Sequence, residues 1–151
     1  MIFRVVPLGL LVLSLLAGCT IVHSEKRPAT DLSKFKHVFV ERRLSDDHGI
    51  DRLIVGELRK RGYDSSTGPL TMLPDNADAV IIYEDEWTFD FTTHMTMLEI
   101  RVRPADKAQA IATGRYFQRW ISSKSPAKIV GEVMNSLFPA HSAGSGTAVG
   151  K

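Results

Sequence analysis

Ala79-Val80-Ile81-Ile82-Tyr83-Glu84-Asp85-Glu86-Trp87-Thr88-Phe89-Asp90-Phe91 is the stretch that decides the fold class of this chain. Counted by twos, Ala79, Ile81, Tyr83, Trp87, Phe89 and Phe91 share one side with Asp85, while Glu84, Glu86, Thr88 and Asp90 take the other. A period of two belongs to a strand with one side for packing and one for water. The next stretch repeats it, with Leu98, Ile100 and Val102 in an apolar row opposite Met97, Glu99, Arg101 and Arg103. Thr92-Thr93 reads as the hairpin tip between the two. A third long strand, over 108–121, is expected after the turn Pro104-Ala105-Asp106-Lys107.

Upstream, Lys36 to Glu41 carries the β-branched and aromatic residues of a first strand. Ser45-Asp46-Asp47 supplies N-cap candidates for a helix over 49–61, in which Ile50, Leu53, Ile54 and Leu58 make one apolar face. Gly62 is placed to end that helix. Arg59, Lys60 and Arg61 sit in its last turn, where positive charge complements the macrodipole; this explains the triplet better than a phosphate site does. Tyr63 to Thr67 gives a weaker strand. Downstream, Ser125-Pro126 pairs a favoured N-cap with a proline at the first helical position, followed by the apolar stripe Ile129, Val130, Val133, Leu137 and Phe138. The order is β-α-β-β-β-β-α. The expectation is an α+β domain: an antiparallel sheet of four to five strands, with a mixed sheet as the alternative, and two helices packed on one face.

The first 19 residues have another character. Arg4 supplies an N-terminal positive charge, Val5 to Leu16 is an apolar run interrupted by Pro7, Gly9 and Ser14, and Ala17-Gly18 precede Cys19. This is the layout of an export signal, too short for the roughly 20 apolar residues that span a bilayer. Leu16-Ala17-Gly18-Cys19 resembles the lipobox of bacterial lipoproteins. The resemblance implies diacylglycerol on the Cys19 sulfur, cleavage before Cys19 and a further acyl chain, such as palmitate, on the new amine. Thr20 stands where an inner-membrane retention signal has Asp, which favours the outer membrane. Cys19 is the only cysteine, so no intramolecular disulfide can form. Removing Arg4 with the leader leaves 18 basic against 17 acidic residues, a net charge of +1 that gives no global reason to expect nucleic-acid binding.

The expected organisation is a signal peptide over 1–18, lipidated Cys19 and a flexible tether over 19–34, one periplasmic domain over 35–139, and a Gly/Ser/Ala-rich disordered tail over 140–151. The domain resembles the small Gram-negative envelope lipoproteins grouped as domains of unknown function. The likeness lies in Phe39-Val40, the helix exit Arg61-Gly62-Tyr63, Ala77-Asp78-Ala79 leading to Tyr83–Trp87, and Thr113-Gly114. That family brings no enzyme activity to transfer.

Candidate chemistry is sparse. Glu84, Asp85, Glu86 and Asp90 suggest paired carboxylates, but alternation puts Glu84 and Glu86 on the solvent side, opposite Arg101 and Arg103. Asp85 falls among aromatics and needs a partner there, either a backbone group or Arg115. His94-Met95-Thr96-Met97 resembles a soft-metal set, yet regular alternation points Met95 and Met97 away from His94. His23, His37, His48 and His141 lack zinc-site spacing. Gly144-Ser145-Gly146 lacks the strand and helix of a phosphate loop. No catalytic residue, metal or cofactor is expected. Trp87, Phe89 and Phe91 are the docking candidates, an aromatic row running to the hairpin tip. The reading is a non-catalytic accessory or protein-interaction module, lipid-anchored at Cys19 on the periplasmic face of the outer membrane and contacting another envelope protein. The alternative is a lipoprotein that binds a lipid or small ligand between helices and sheet.

Overall fold

The computed structural model describes residues 20–26, 30–118 and 124–138. The leader 1–18, Cys19 and the tail 140–151 lie outside them. Six strands form one sheet: β1 (Thr20–Lys26), β2 (His37–Glu41), β3 (Asp64–Gly68), β4 (Ala79–Asp90), β5 (Thr92–Pro104) and β6 (Ala112–Gln118). Two helices complete the α+β fold, α1 (Ile50–Lys60) and α2 (Pro126–Leu137). The sheet order is β1-β6-β5-β4-β2-β3.

Two expectations are corrected. The sheet has six strands rather than four or five, because Thr20–Lys26, assigned to the tether, pairs antiparallel with β6 from Thr20↔Gln118 to Lys26↔Ala112. Its side chains give no apolar row, so backbone hydrogen bonding to β6 is what makes it a strand. The sheet is also mixed, since β2 runs parallel to both β3 and β4. A parallel neighbour needs a crossover, and α1 supplies it between β2 and β3. The weak strand thus occupies an edge at Asp64–Gly68, one residue later than expected. β6 starts at Ala112 rather than at 108, and residues 119–121 of the expected 108–121 lie outside the described residues. Residues 105–111 turn back instead, with Ile111 N–H donating to the Val102 carbonyl at 2.8 Å.

Helix boundaries follow local chemistry. The Asp46 carboxylate accepts from the backbone N–H groups of His48, Gly49 and Asp51, so one side chain satisfies donors at the α1 entry. At the exit Gly62 has φ +86° and Tyr63 N–H reaches back to the Leu58 carbonyl at 3.1 Å, a left-handed stop that favours glycine. Ser125 caps α2 by accepting from Lys128 N–H.

Both helices cover one face of the sheet. Ile50, Ile54 and Leu58 of α1 and Ile129, Val133, Met134 and Leu137 of α2 pack with Val38, Val40, Ile81, Tyr83, Leu98, Ile100, Val102 and Tyr116 in a single core. α2 comes so close to β6 that a Cβ on Gly114 would lie 2.9 Å from side-chain carbons of Val133 and Leu137. The other face is largely polar. Arg101 pairs with Glu84 there, and Glu99 is held by Arg101 and by Arg115, the latter at 2.6 Å. Arg103, expected to join this ladder, instead donates to the Lys107 carbonyl at 3.0 Å.

Candidate functional site

β4 and β5 outrun the rest of the sheet. β6 pairs with β5 only over Met97–Val102, and β2 pairs with β4 only over Ala79–Ile81. From Trp87↔Met95 to Asp90↔Thr92 the two strands, among the described residues, pair with each other alone and form an arm. The root of the arm is a β-bulge: Glu86 faces Met97 and Trp87 faces Met95, which leaves Thr96 unmatched. Bulges bend a ribbon and re-aim its side chains. This one puts Met95 on the core side, where it is buried, and leaves Met97 on the open face beside Glu86 and Phe117. The expectation that Met95 and Met97 point the same way is therefore corrected; the irregularity between them reverses one.

The aromatic row divides at this bulge. Trp87 is half-buried, stacked on His48 with ring centroids 3.7 Å apart and planes 13° from parallel, and its indole N–H donates to Asp85. Phe89 and Phe91 are 77% and 95% exposed. Phe91 is the apex residue between β4 and β5, one position before the expected tip, and has φ +57°. A left-handed backbone costs a non-glycine residue about 1–2 kcal/mol, so the fold holds a large apolar side chain in water at a strained turn.

Behind the arm lies a polar network whose members are far apart in sequence. Asp85 accepts from Arg43 at 2.8 Å, which corrects the expected pairing with Arg115, since Arg115 lies on the opposite face with Glu99. Tyr83 donates to Asp46 at 2.6 Å. Buried Asp51 accepts from Arg42 at 3.0 Å and from the Thr67 hydroxyl at 2.9 Å. Burial and the adjoining Asp46 carboxylate push the Tyr83 hydroxyl well above the ordinary phenol range. Burial alone would raise Asp46, but hydrogen bonds from Tyr83 and from the N–H groups at the α1 entry outweigh it and leave its carboxyl below the ordinary range. Asp46 is thus ionised and Tyr83 a fixed donor. The network locks the 42–49 loop to the arm root, and its acidic groups are occupied in that task. No sequence pattern advertises it, because its partners meet only when β2, α1 and β4 assemble.

The acidic run is divided between the two faces of the sheet. Glu84 lies on the open face with Arg101, and Asp85 lies on the helix side with Arg43. Among the described residues no three His, Cys, Asp or Glu side chains gather in a metal-binding group. His94 instead contacts the Thr92 hydroxyl at 2.6 Å, and His37 meets Asp64 at 2.9 Å. The basic triplet is also engaged: Arg59 donates to the Ser65 carbonyl, Lys60 to Glu57, and Arg61 to Glu57 and the Phe138 carbonyl. An open groove of about 380 Å³ beside the arm root is lined by charged Glu41, Arg43, Glu84, Asp85 and Glu86, with Met97. The helix–sheet interval, where the alternative reading places a lipid or small-ligand pocket, holds fully buried Ile54, Leu58, Ile129, Val133 and Leu137. Among the described residues no helix is long and apolar enough to cross a membrane.

No family model matches the chain, and no curated protein matches it. Solved structures do. A single-substitution variant of PelC from Paraburkholderia phytofirmans, described as a dodecamer, aligns with a TM-score of 0.60 at 15% identity over 79% of this chain and 98% of that one. A second PelC dodecamer structure from the same organism gives 0.58 at 14% identity, over 79% and 97%. A PDZ domain protein from Parabacteroides distasonis gives 0.52 at 11% identity over 80% of this chain, which spans 36% of that one. At these identities the likeness is one of fold.

Proposed function

We propose that this chain is a non-catalytic accessory module, anchored by lipid on Cys19 to the periplasmic face of the outer membrane and engaging other envelope proteins through the open flanks of its sheet. The observation that carries this reading is the junction between the lipobox and the fold. Cys19 is bonded directly to Thr20, the first residue of edge strand β1, so acyl chains there would hold the folded body against the bilayer with no intervening tether. One lipid chain binds reversibly, whereas two or three make attachment effectively permanent.

The outer flank of β1 offers backbone groups for strand addition by a partner. The fold-level likeness to PelC, whose structures are described as dodecamers, supports a second copy of the chain as one such partner. The test is fractionation of cells expressing the intact chain or Cys19→Ser. The intact chain is expected in the outer-membrane fraction with acyl mass on residue 19, and the variant in the soluble periplasm. Retention of an exported, unmodified variant in the membrane would refute covalent anchoring. In-cell crosslinking of the lipidated chain then identifies its protein neighbours.

A further inference from the structure

We propose that the β4–β5 arm is a second membrane contact, and that Phe89 and Phe91 enter the interfacial region of the bilayer to which Cys19 is attached. The proposal rests on the reading of Cys19 and deepens it by naming what the exposed arm meets: a lipid surface.

The strand registers carry the inference. β1 starts at the end of the sheet where β6 finishes, with Thr20 opposite Gln118, and the neighbouring Phe117 lies opposite Met97 at the root of the arm. Thr20, the residue bonded to Cys19, and the arm therefore lie at the same end of the body. β2 is parallel to β4, so the loop that follows it, with fully exposed Leu44, also lies there. Ile21, Leu44, Phe89, Phe91 and Phe117 are all exposed large apolar side chains, and all belong to this end. A concentration of apolar side chains on one end marks a contact surface. Aromatic residues suit the membrane interface in particular, where their rings settle at headgroup depth.

Reach agrees with this placement. Phe91 stands beyond Met97 by roughly 20 Å counted along β5, and β1 lies two strand spacings, about 10 Å, to the side. Cys19 adds at most one Cα step of about 3.8 Å to β1. A bilayer that touches both points therefore sets the strands oblique to its plane, with the acyl chains as one foot and the phenylalanines as the other. Part of the charge nearby is answered within the fold. Asp46, Asp51 and Asp85 behind the arm already hold Tyr83, Arg42 and Arg43, so these carboxylates are compensated from within the fold. The strained turn at Phe91 also gains a purpose, because it keeps an apolar side chain at the farthest point of the arm.

The experiment uses the lipidated full chain in vesicles of phosphatidylethanolamine and phosphatidylglycerol. Its single thiol is consumed by the lipid, so Phe89→Cys or Phe91→Cys introduces one labelling site for an environment-sensitive fluorophore. Asn76→Cys, in the exposed turn before β4 at the far end, is the control. The expected result is quenching of the probes at 89 and 91 by lipids carrying a shallow nitroxide, with protection from aqueous iodide, and neither effect at 76. An anchored chain whose arm probes stay open to iodide overturns the proposal and leaves the anchor reading intact. Probes shielded from iodide but untouched by lipid quencher also overturn it, since a protein surface, such as a second copy, then covers the arm. A chain that floats free with an unmodified thiol removes the anchor reading and this proposal together.

Discussion

The body of the sheet and its projecting arm are written in the same alternating pattern, yet only one is covered. In the body Ile81 and Tyr83 of β4, with Leu98, Ile100 and Val102 of β5, are fully buried beneath the helices. In the arm the same side of β4 continues through Trp87 to Phe89, and burial fades within one bulge until the apex is in water. Alternation tells which side of a strand a residue takes. Whether anything covers that side depends on how far the helices and neighbouring strands extend, and among the described residues they stop at the bulge. The body therefore holds the stability, and the arm is left available for contact.

That contrast is broken most directly in the body. Leu98→Ala deletes a fully buried side chain at the centre of the sheet and is expected to cost about 2–5 kcal/mol, read by urea unfolding of the non-lipidated chain. Gly114→Val tests the opposite fault, too much volume. Its side chain would be forced into Val133 and Leu137, and an overpacking cost of about 1–3 kcal/mol is expected, with α2 displaced from β6. A neutral result would mean that α2 does not lie as close to the sheet as the fold requires.

The joint between body and arm should respond to pH. Asp46 has its carboxyl held below the ordinary value of 3.8, because hydrogen bonds from Tyr83 and backbone N–H groups exceed the cost of burial. A depressed carboxyl contributes stability that is fully present above the unfolded value and is lost as pH falls from there through the folded one. Asp46→Asn keeps an acceptor for the helix entry but gives up the ionised partner of Tyr83. The expected loss is about 1 kcal/mol near neutral pH, at the low end for a charge-assisted bond because the site is partly open to solvent. The gap from wild type should begin to narrow as pH falls past 3.8 and close only below the folded value, where both chains present a neutral group. A gap that stays constant with pH would show that Asp46 acts by shape alone.

Much of this fold is legible in the chain. The alternation of Ala79–Phe91, the apolar stripes of both helices, the Ser125-Pro126 entry and the Gly62 exit are local signals and predict the elements found. Three residues singled out in the sequence turn out to have structural duties. Gly62 ends α1, Asp78 accepts the N–H groups of Lys36 and His37 at the start of β2, and Gly114 admits α2. Strand order was available in part: Val38-Phe39-Val40 is buried on both sides, and an unbroken apolar run of that kind marks a central parallel strand. β1 gives no such signal, since an edge strand with polar side chains depends on its neighbour's backbone. The Asp46, Asp51 and Asp85 network is equally silent, because carboxylates that reach across three elements leave no spacing to read.

The smallest effect is the most discriminating, because its sign is opposite to that in the body. Phe91 is almost wholly exposed, so removing its ring forfeits little burial, and exposed substitutions usually stay within about 0.5 kcal/mol. Its backbone, however, sits at φ +57°, where glycine is free of the clash that a Cβ creates. Relief of that strain competes with the greater chain entropy glycine loses on folding, which is worth roughly 0.5–1 kcal/mol. The balance favours Phe91→Gly as neutral to stabilising by about 0.5 kcal/mol in the non-lipidated chain. Leu98→Ala and Phe91→Gly both remove a large apolar side chain from one hairpin, and only the first should weaken the fold. If Phe91→Gly costs more than about 1 kcal/mol in water, the ring is packed rather than exposed, and the arm belongs to the body after all. If stability holds while contact with the vesicle surface is lost, the strain at residue 91 is maintained for the sake of what the arm touches.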